Sequence, residues 1–97
     1  MNAVNEHVIH EVPFPPGQIV VTRRIADELN SLAIGHLLSR HLHCDWGDLC
    51  EEDWKLNDAA VRHGERLLSA YKAADQKVFI ITEWDRSATT VLFADEY

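Results

Sequence analysis

The stretch RLLSAYKAADQKVFIITEWDRSATTVLF, residues 66–93, decides the fold of this chain. It contains three strand-like runs: 66–73, 77–83 and 89–93. The connections between the runs are short and polar, which is typical of turns between strands. Because sequential strands this close together usually pair as neighbours, the stretch predicts a three-stranded antiparallel meander.

Helical patterns precede this stretch. Thr22 is a suitable N-cap for a first helix that begins at Arg23, and the pair Asn30-Ser31 predicts its end. Apolar residues at helical spacing then predict an amphipathic second helix over about 34–43. A third helix is expected from Glu51 or Glu52 to His63, followed by a glycine stop. Helices must cover one face of the sheet, so the predicted class is a two-layer α+β domain with about three helices.

The N-terminal region differs from the rest of the chain. Pro13, Pro15, Pro16 and Gly17 cannot continue a helix or a central strand. We therefore assign residues 1–17 to an N-terminal arm and residues 18–97 to a single domain. The short β-branched run 18–21 is compatible with one edge strand.

Composition and charge exclude several classes of protein. A chain of 97 residues, 46% hydrophobic, can build one core, and its net charge of −7 argues against generic binding to nucleic acid. The chain has no apolar run of about 18 residues, as a membrane span needs, and no signal-peptide pattern. Two cysteines are too few for a disulfide scaffold. We expect a soluble cytoplasmic protein that is a monomer or a weak dimer, with no contact to a membrane.

A combination of short motifs resembles a family of small bacterial proteins carried on plasmids and other mobile elements. The resemblance covers residues 36–97 and rests on His41, DWGDL (45–49), Glu52-Asp53, Asn57, Gly64, RLLS (66–69), Tyr71, ITE (81–83), DRS (85–87), TTVL (89–92) and Glu96-Tyr97. The chain departs from the pattern at His43-Cys44, Cys50, Trp54 and 93–95. The resemblance implies a mobile-element setting and a fold, but no catalytic or ligand-binding residue.

An acidic block is the main chemical feature of the sequence. It places five carboxylates in residues 45–53 with no basic residue among them: Asp45, Asp48, Glu51, Glu52 and Asp53. One interpretation is a negative surface for a basic partner, which imitates a nucleic-acid backbone and is extended by Asp95 and Glu96. The other is structural, because aspartates favour turns and acids favour the first turn of a helix.

Trp54 offers an aromatic anchor for such a surface. If Leu56, Ala59, Ala60 and His63 form the buried face of the third helix, Trp54 lies nearly opposite them. An exposed Trp with Glu51 and Asp58 beside it on the helix resembles an interface anchor. The alternative is a helix that is buried on two faces.

The other two tryptophans are interpreted separately. Trp46 is interpreted as a plug over the edge of the core, and Trp84 is compatible with a core plug or an exposed anchor. The predicted partner-binding residues are Asp45, Asp48, Glu51, Glu52, Asp53, Trp54, Asp58, Asp95 and Glu96.

Metal and catalytic sites are less well supported. His41, His43, Cys44 and Cys50 do not have the ligand spacing of a zinc site, so we expect no metal and no cofactor. His41 lies on the apolar stripe of the second helix, which predicts a core histidine with a hydrogen-bond partner. No nucleophile elbow, glycine-rich phosphate loop or zinc-protease motif is present, so we predict no catalytic residue.

These features lead to a functional hypothesis with two alternatives. The chain is interpreted as a small acidic inhibitor from a mobile element that blocks a host nucleic-acid-binding defence complex, as anti-CRISPR and anti-restriction proteins do. The first alternative is a non-catalytic plasmid housekeeping or regulatory protein, whose acidic residues only keep its surface hydrated and bind no partner. The second is a small enzyme that uses the polar cluster around Glu83 and Arg86, although residues 85–87 also fit a polar hairpin turn.

Overall fold

The computed structural model describes residues 12–97, which form an α+β unit. The elements in chain order are β1 (Gln18–Val21), α1 (Arg23–Glu28), α2 (Ser31–Leu42), α3 (Glu51–His63), β2 (Leu67–Ala73), β3 (Gln76–Thr82), β4 (Ala88–Phe93) and a 3₁₀ turn (Ala94–Glu96). The strand order in the sheet is β1-β4-β3-β2. Strands β2, β3 and β4 pair antiparallel, whereas β1 pairs parallel with β4.

The expectation of three strands was therefore incomplete, because the sheet is mixed and has four. The run 18–21 joins the sheet beside the last strand of the chain, with Gln18 opposite Ala88 and Val21 opposite Val91. Parallel strands need a long crossover, and here all three helices and the first two meander strands lie between the paired segments. This pairing has no local sequence signal.

The helix ends follow from capping side chains. Thr22 accepts a hydrogen bond from the Ile25 amide at 3.2 Å, which confirms its predicted role as an N-cap. Asn30 caps α2 in the same way, so α2 begins at Ser31, earlier than expected. α3 ends at Gly64, whose φ of 67° is left-handed. In the part of the chain that the structure describes, no helix is long and apolar enough to cross a membrane.

The main hydrophobic core lies between the helices and one face of the sheet. Alternate strand residues share this face because the side-chain period of a strand is two. The sheet contributes Tyr71, Val78, Ile80, Val91 and Phe93 to this cluster. The helical layer contributes Ile25 from α1, Leu29 directly after α1, and Leu37 from α2.

A second core cluster lies beside the first and includes part of the predicted arm. Its buried members are Phe14, Trp46, Ala60 and Leu67. Phe14 is only 3% exposed, and the carbonyl of Pro16 accepts a hydrogen bond from Thr89 at 2.7 Å. Residues 12–17 therefore pack onto the domain, and the remainder of the predicted arm, 1–11, lies outside the described residues.

Candidate functional site

The turn before α3 is held by the first residue of the acidic block. The Asp45 carboxylate accepts hydrogen bonds from Arg40 at 2.8 and 3.3 Å and from the Gly47 amide at 3.2 Å. Arg40 accordingly lowers the pKa of Asp45. The Tyr71 hydroxyl donates to the Asp45 carbonyl at 2.7 Å. The side-chain carboxylate and the backbone carbonyl of Asp45 thus both hold the turn in place, as the structural interpretation of this residue predicted.

The same turn attaches to the free edge of β2. The Ala70 amide donates to the Trp46 carbonyl at 3.1 Å, and the Asp48 amide donates to the Ala70 carbonyl at 2.7 Å. Next to this contact, the Asn57 side-chain amide bonds both backbone groups of Leu68, at 2.7 and 3.4 Å. Since these groups occupy the edge of β2, the start of α3 is fixed against the sheet while the Asp48 side chain remains exposed.

Trp46 is fully buried, which confirms the expected plug at the edge of the core. Its ring stacks on Phe14 with centroids 6.3 Å apart. Its indole N–H donates to the Asp58 carboxylate at 2.9 Å, because a buried indole needs an acceptor. Asp58 was predicted to contact a partner, but its carboxylate is engaged by this internal hydrogen bond.

The predicted buried face of α3 is confirmed at Ala60, which is buried, and wrong at Leu56 and His63. Leu56 is 62% exposed and His63 is exposed, although both were expected on the buried face. For Trp54 the sequence left two interpretations open, an exposed anchor or a helix buried on two faces. The side chain is half-buried and packs against the second core cluster together with Val61, which disagrees with the exposed anchor. The helix turns this way because Trp46, Phe14 and Leu67 offer Trp54 a large apolar surface, which Leu56 would fill less well.

The acids at the start of α3 remain on the surface. Glu51, Glu52 and Asp53 are exposed in the first turn of the helix. Lys55, the single base in residues 45–58, lies 3.4 Å from Glu51, and both side chains are more than 70% exposed. These three acids and Asp48 are thus the part of the acidic block that faces solvent.

A surface groove opens beside these acids, between α3 and the edge of β2. Its volume is about 240 Å³, and it is lined by Leu49, Asp53, Leu56, Asn57 and Leu68. The Asn57 amide is bonded to the Leu68 backbone, so Asp53 supplies the single charge of the lining. The lining of this groove by leucines was not predicted. The signal for it is the spacing of Leu56, three residues after Asp53 and four after Glu52, which places it beside these acids on the helix.

Asp95 and Glu96 do not extend this surface. Asp95 pairs with Arg24 at 2.7 Å, and Glu96 accepts hydrogen bonds from the Thr22 hydroxyl at 3.0 Å and the Phe93 amide at 2.8 Å. These contacts lie next to β1 and β4, whereas the turn before α3 lies on β2, the opposite edge of the sheet. The two acids therefore tie the C-terminus to α1.

The buried His41 confirms the expectation of a core histidine with hydrogen-bond partners. Its Nδ1 lies 2.5 Å from the Ser69 hydroxyl and its Nε2 lies 2.8 Å from the Thr82 hydroxyl. Thr82 is 2.7 Å from the Thr89 hydroxyl, which donates to the carbonyl of Pro16. All four side chains are fully buried, so the histidine and the serine face no solvent.

The end of this chain of bonds fixes the proton positions along it. A carbonyl can only accept, so Thr89 donates to Pro16, Thr82 donates to Thr89, and His41 carries its proton on Nε2. Ser69 then donates to Nδ1. Burial, with a smaller contribution from the charge of Arg86, lowers the pKa of His41 to about 4. The arrangement therefore holds a neutral histidine.

The polar cluster around Glu83 and Arg86 is a structural clamp. The Arg86 guanidinium donates to the carbonyls of Ala60 at 3.0 Å, Glu65 at 2.6 Å and Glu83 at 3.1 Å. A cation at the end of α3 suits the negative end of the helix dipole. Arg86 thus joins the β3–β4 turn to the C-terminus of α3, and Trp84 in the same turn is 66% exposed.

The sequence offered four possible metal ligands: His41, His43, Cys44 and Cys50. Cys44 is half-buried, Cys50 is exposed, and both are free thiols. Across residues 12–97, no three His, Cys, Asp or Glu side chains come together as a metal site. The His43 ring contacts the Ser39 carbonyl at 2.7 Å, so this part of the motif closes the end of α2.

Comparison with known proteins adds no relative: no protein-family model, curated protein or solved structure matches this chain. The candidate site is therefore defined by its own side chains. We use the name acidic face for the exposed acids of the turn and of the first half of α3 together with one exposed leucine: Asp48, Glu51, Glu52, Asp53 and Leu56. Cys50 and Lys55 are also exposed in this stretch. Of the predicted partner-binding residues, four lie on this face, whereas Asp45, Asp58, Asp95 and Glu96 bind within the chain and Trp54 packs against the core.

Proposed function

We propose that this chain is a small inhibitor, encoded by a mobile element, that binds the basic nucleic-acid groove of a host defence complex through its acidic face. The observation that carries the proposal is the separation of the acids into two groups. The carboxylates of Asp45, Asp58 and Asp95 are bonded to Arg40, Trp46 and Arg24. On the acidic face, Asp48, Glu52 and Asp53 are exposed beside the exposed Leu56, and Glu51 contacts the exposed Lys55. Leu56 follows Asp53 by three residues and Glu52 by four on α3, so its exposed side chain lies beside these carboxylates.

The chemistry of the acidic face suits a basic groove. Exposed carboxylates accelerate encounter with a positive surface and make it sensitive to salt. Leu56, at 62% exposure, supplies apolar area that is removed from water on contact and so slows dissociation. The mobile-element setting rests on the resemblance of residues 36–97 to plasmid-borne proteins. The mechanism is occupancy of the groove in place of DNA or RNA.

The test is phage plating on bacterial hosts that carry an active restriction or CRISPR system. Expression of the parent chain is expected to raise the plating efficiency of the phage on the defended host. The double variant Glu52→Ala/Asp53→Ala is expected to lose this protection. The matched control is Asp27→Ala/Glu65→Ala, which removes two exposed acids elsewhere and leaves the same net charge.

Two results would contradict the proposal. One is a parent chain that protects phage against none of the defence systems in the panel. The other is a folded Glu52→Ala/Asp53→Ala variant that protects as well as the parent, with thermal unfolding used to verify folding. Equal loss in both double variants would assign the effect to total charge and would contradict a specific face.

A further inference from the structure

The groove beside the acidic face combines an apolar lining with one charge. Leu49, Leu56 and Leu68 supply the apolar part, and Asp53 supplies the carboxylate. Its volume of about 240 Å³ compares with about 30 Å³ of liquid volume for each water molecule, so it holds a side chain of several heavy atoms. A ligand that fits must carry an aliphatic segment and a positive end.

The surroundings of Asp53 strengthen the requirement for a positive ligand. Glu52 precedes it on the exposed side of α3, and Asp48 lies in the turn before the helix. Lys55, the nearest base in sequence, is paired with Glu51 at 3.4 Å. The charge of the groove is thus negative, and it is complementary to a cationic group brought by a partner.

We propose that the groove binds an arginine side chain of the partner protein, with the aliphatic stem on the leucines and the guanidinium on Asp53. This inference rests on the proposed function, since it names the group that the acidic face recognises. Arginine buries its stem along apolar surface while its charged end stays at the rim. Its guanidinium also forms two parallel bonds to a carboxylate and is less strongly hydrated than the ammonium of lysine.

The probe for this site is n-butylguanidinium, which reproduces the stem and the charged end of arginine. It is titrated into the isotopically labelled full-length chain while the methyl signals of Leu49, Leu56 and Leu68 are followed by NMR. We expect saturable shifts with a Kd on the order of millimolar, as suits a ligand of this size. Guanidinium alone, which lacks the stem, is expected to give no saturation in that range, and n-butylammonium is expected to bind more weakly.

A matched pair of variants tests the role of the carboxylate. Asp53→Asn keeps the shape of the side chain and removes its charge, so the saturable shifts are expected to disappear. Asp27→Asn removes one exposed charge on α1 and is expected to leave them unchanged. Absence of saturation in the parent chain, or equal binding by Asp53→Asn, would overturn the site. Equal affinity for n-butylammonium would overturn the assignment to arginine.

The NMR titration tests the arginine site and the phage assay tests the proposed function, so either one can be contradicted without the other. If the probe does not bind but the double variant Glu52→Ala/Asp53→Ala still loses protection, the arginine site is wrong and the proposed function stands. If the probe binds through Asp53 but the parent chain protects no phage, the arginine site stands and the proposed function is wrong.

Discussion

At the scale of single residues, His41 links burial to pH dependence. Its pKa is about 4 in the folded protein, against 6.5 for the free side chain. The unfolded chain therefore binds this proton first, so the stability that His41 contributes is complete above pH 6.5 and is lost as the pH falls towards 4. The pKa values of Asp45 and Asp85 are lowered from 3.8 by Arg40 and Ser87, so their contributions are lost at lower pH.

The first prediction follows from this window. Between about pH 7 and about pH 4.5, the free energy of unfolding of the parent chain should fall by about 2 kcal/mol more than that of a His41→Gln variant. The measurement is urea unfolding of both proteins at the two pH values. The same fall in both proteins would show that His41 does not titrate in this range.

The second prediction compares two tryptophans that differ in burial. Trp54→Ala should lower the free energy of unfolding by about 2–4 kcal/mol, somewhat less than the ~3–5 kcal/mol of a fully buried Trp, because the side chain is half-buried. Trp84→Ala should change it by less than about 0.5 kcal/mol, since Trp84 is 66% exposed. Chemical unfolding measures both. Equal effects would contradict the orientation of α3.

At the scale of elements, the contact of the turn 46–48 with β2 decides where α3 and the acidic face lie. Strand β2 is at the edge of the sheet, and exposed edges invite pairing with other chains. Here the turn and the Asn57 side chain bond the backbone of Leu68 and Ala70. The close approach requires Gly47, because a Cβ at this position would collide with the Ala70 carbonyl and the Tyr71 ring.

The third prediction uses two glycines with the same backbone conformation. Gly47 and Gly64 have φ of 76° and 67°, but only at Gly47 would a Cβ meet other atoms. Gly64→Ala should cost about 1 kcal/mol, the conformational term alone. Gly47→Ala should cost at least about 2 kcal/mol more, because the turn must move away from β2. Thermal unfolding of the two variants measures the difference, and equal costs would contradict the contact.

At the scale of the whole molecule, β1 joins the two ends of the described chain. It pairs with β4, the last strand, through bonds that include Gln18 to Ser87 at 3.0 Å, and Thr22, just after β1, continues the pattern by bonding Val91 at 3.1 Å. Backbone groups alternate in direction along a strand, so the amides of Ile19 and Val21 point away from β4. Among residues 12–97, β1 has β4 as its one strand partner.

The fourth prediction is an alternating pattern of amide exchange in β1. The amides of Gln18 and Thr22 should exchange slowly with deuterium, whereas those of Ile19 and Val21 should exchange at rates close to the solvent-exposed limit. Two-dimensional NMR of the full chain after transfer to heavy water measures each amide. Strong protection of Ile19 and Val21 would show that another segment or a second copy covers this edge.

What the sequence determined by itself is local. Thr22 and Gly64 mark helix ends because caps act through neighbouring backbone groups, and the runs in 66–93 predict three strands because their turns are short. The sequence also allowed an edge strand at 18–21 and a turn role for Asp45. The tertiary structure alone decided that β1 pairs parallel with β4, which of the two environments Trp54 takes, and that Asp58, Asp95 and Glu96 bond within the chain. Each of these depends on a surface assembled from residues far apart, whose shape no local pattern contains.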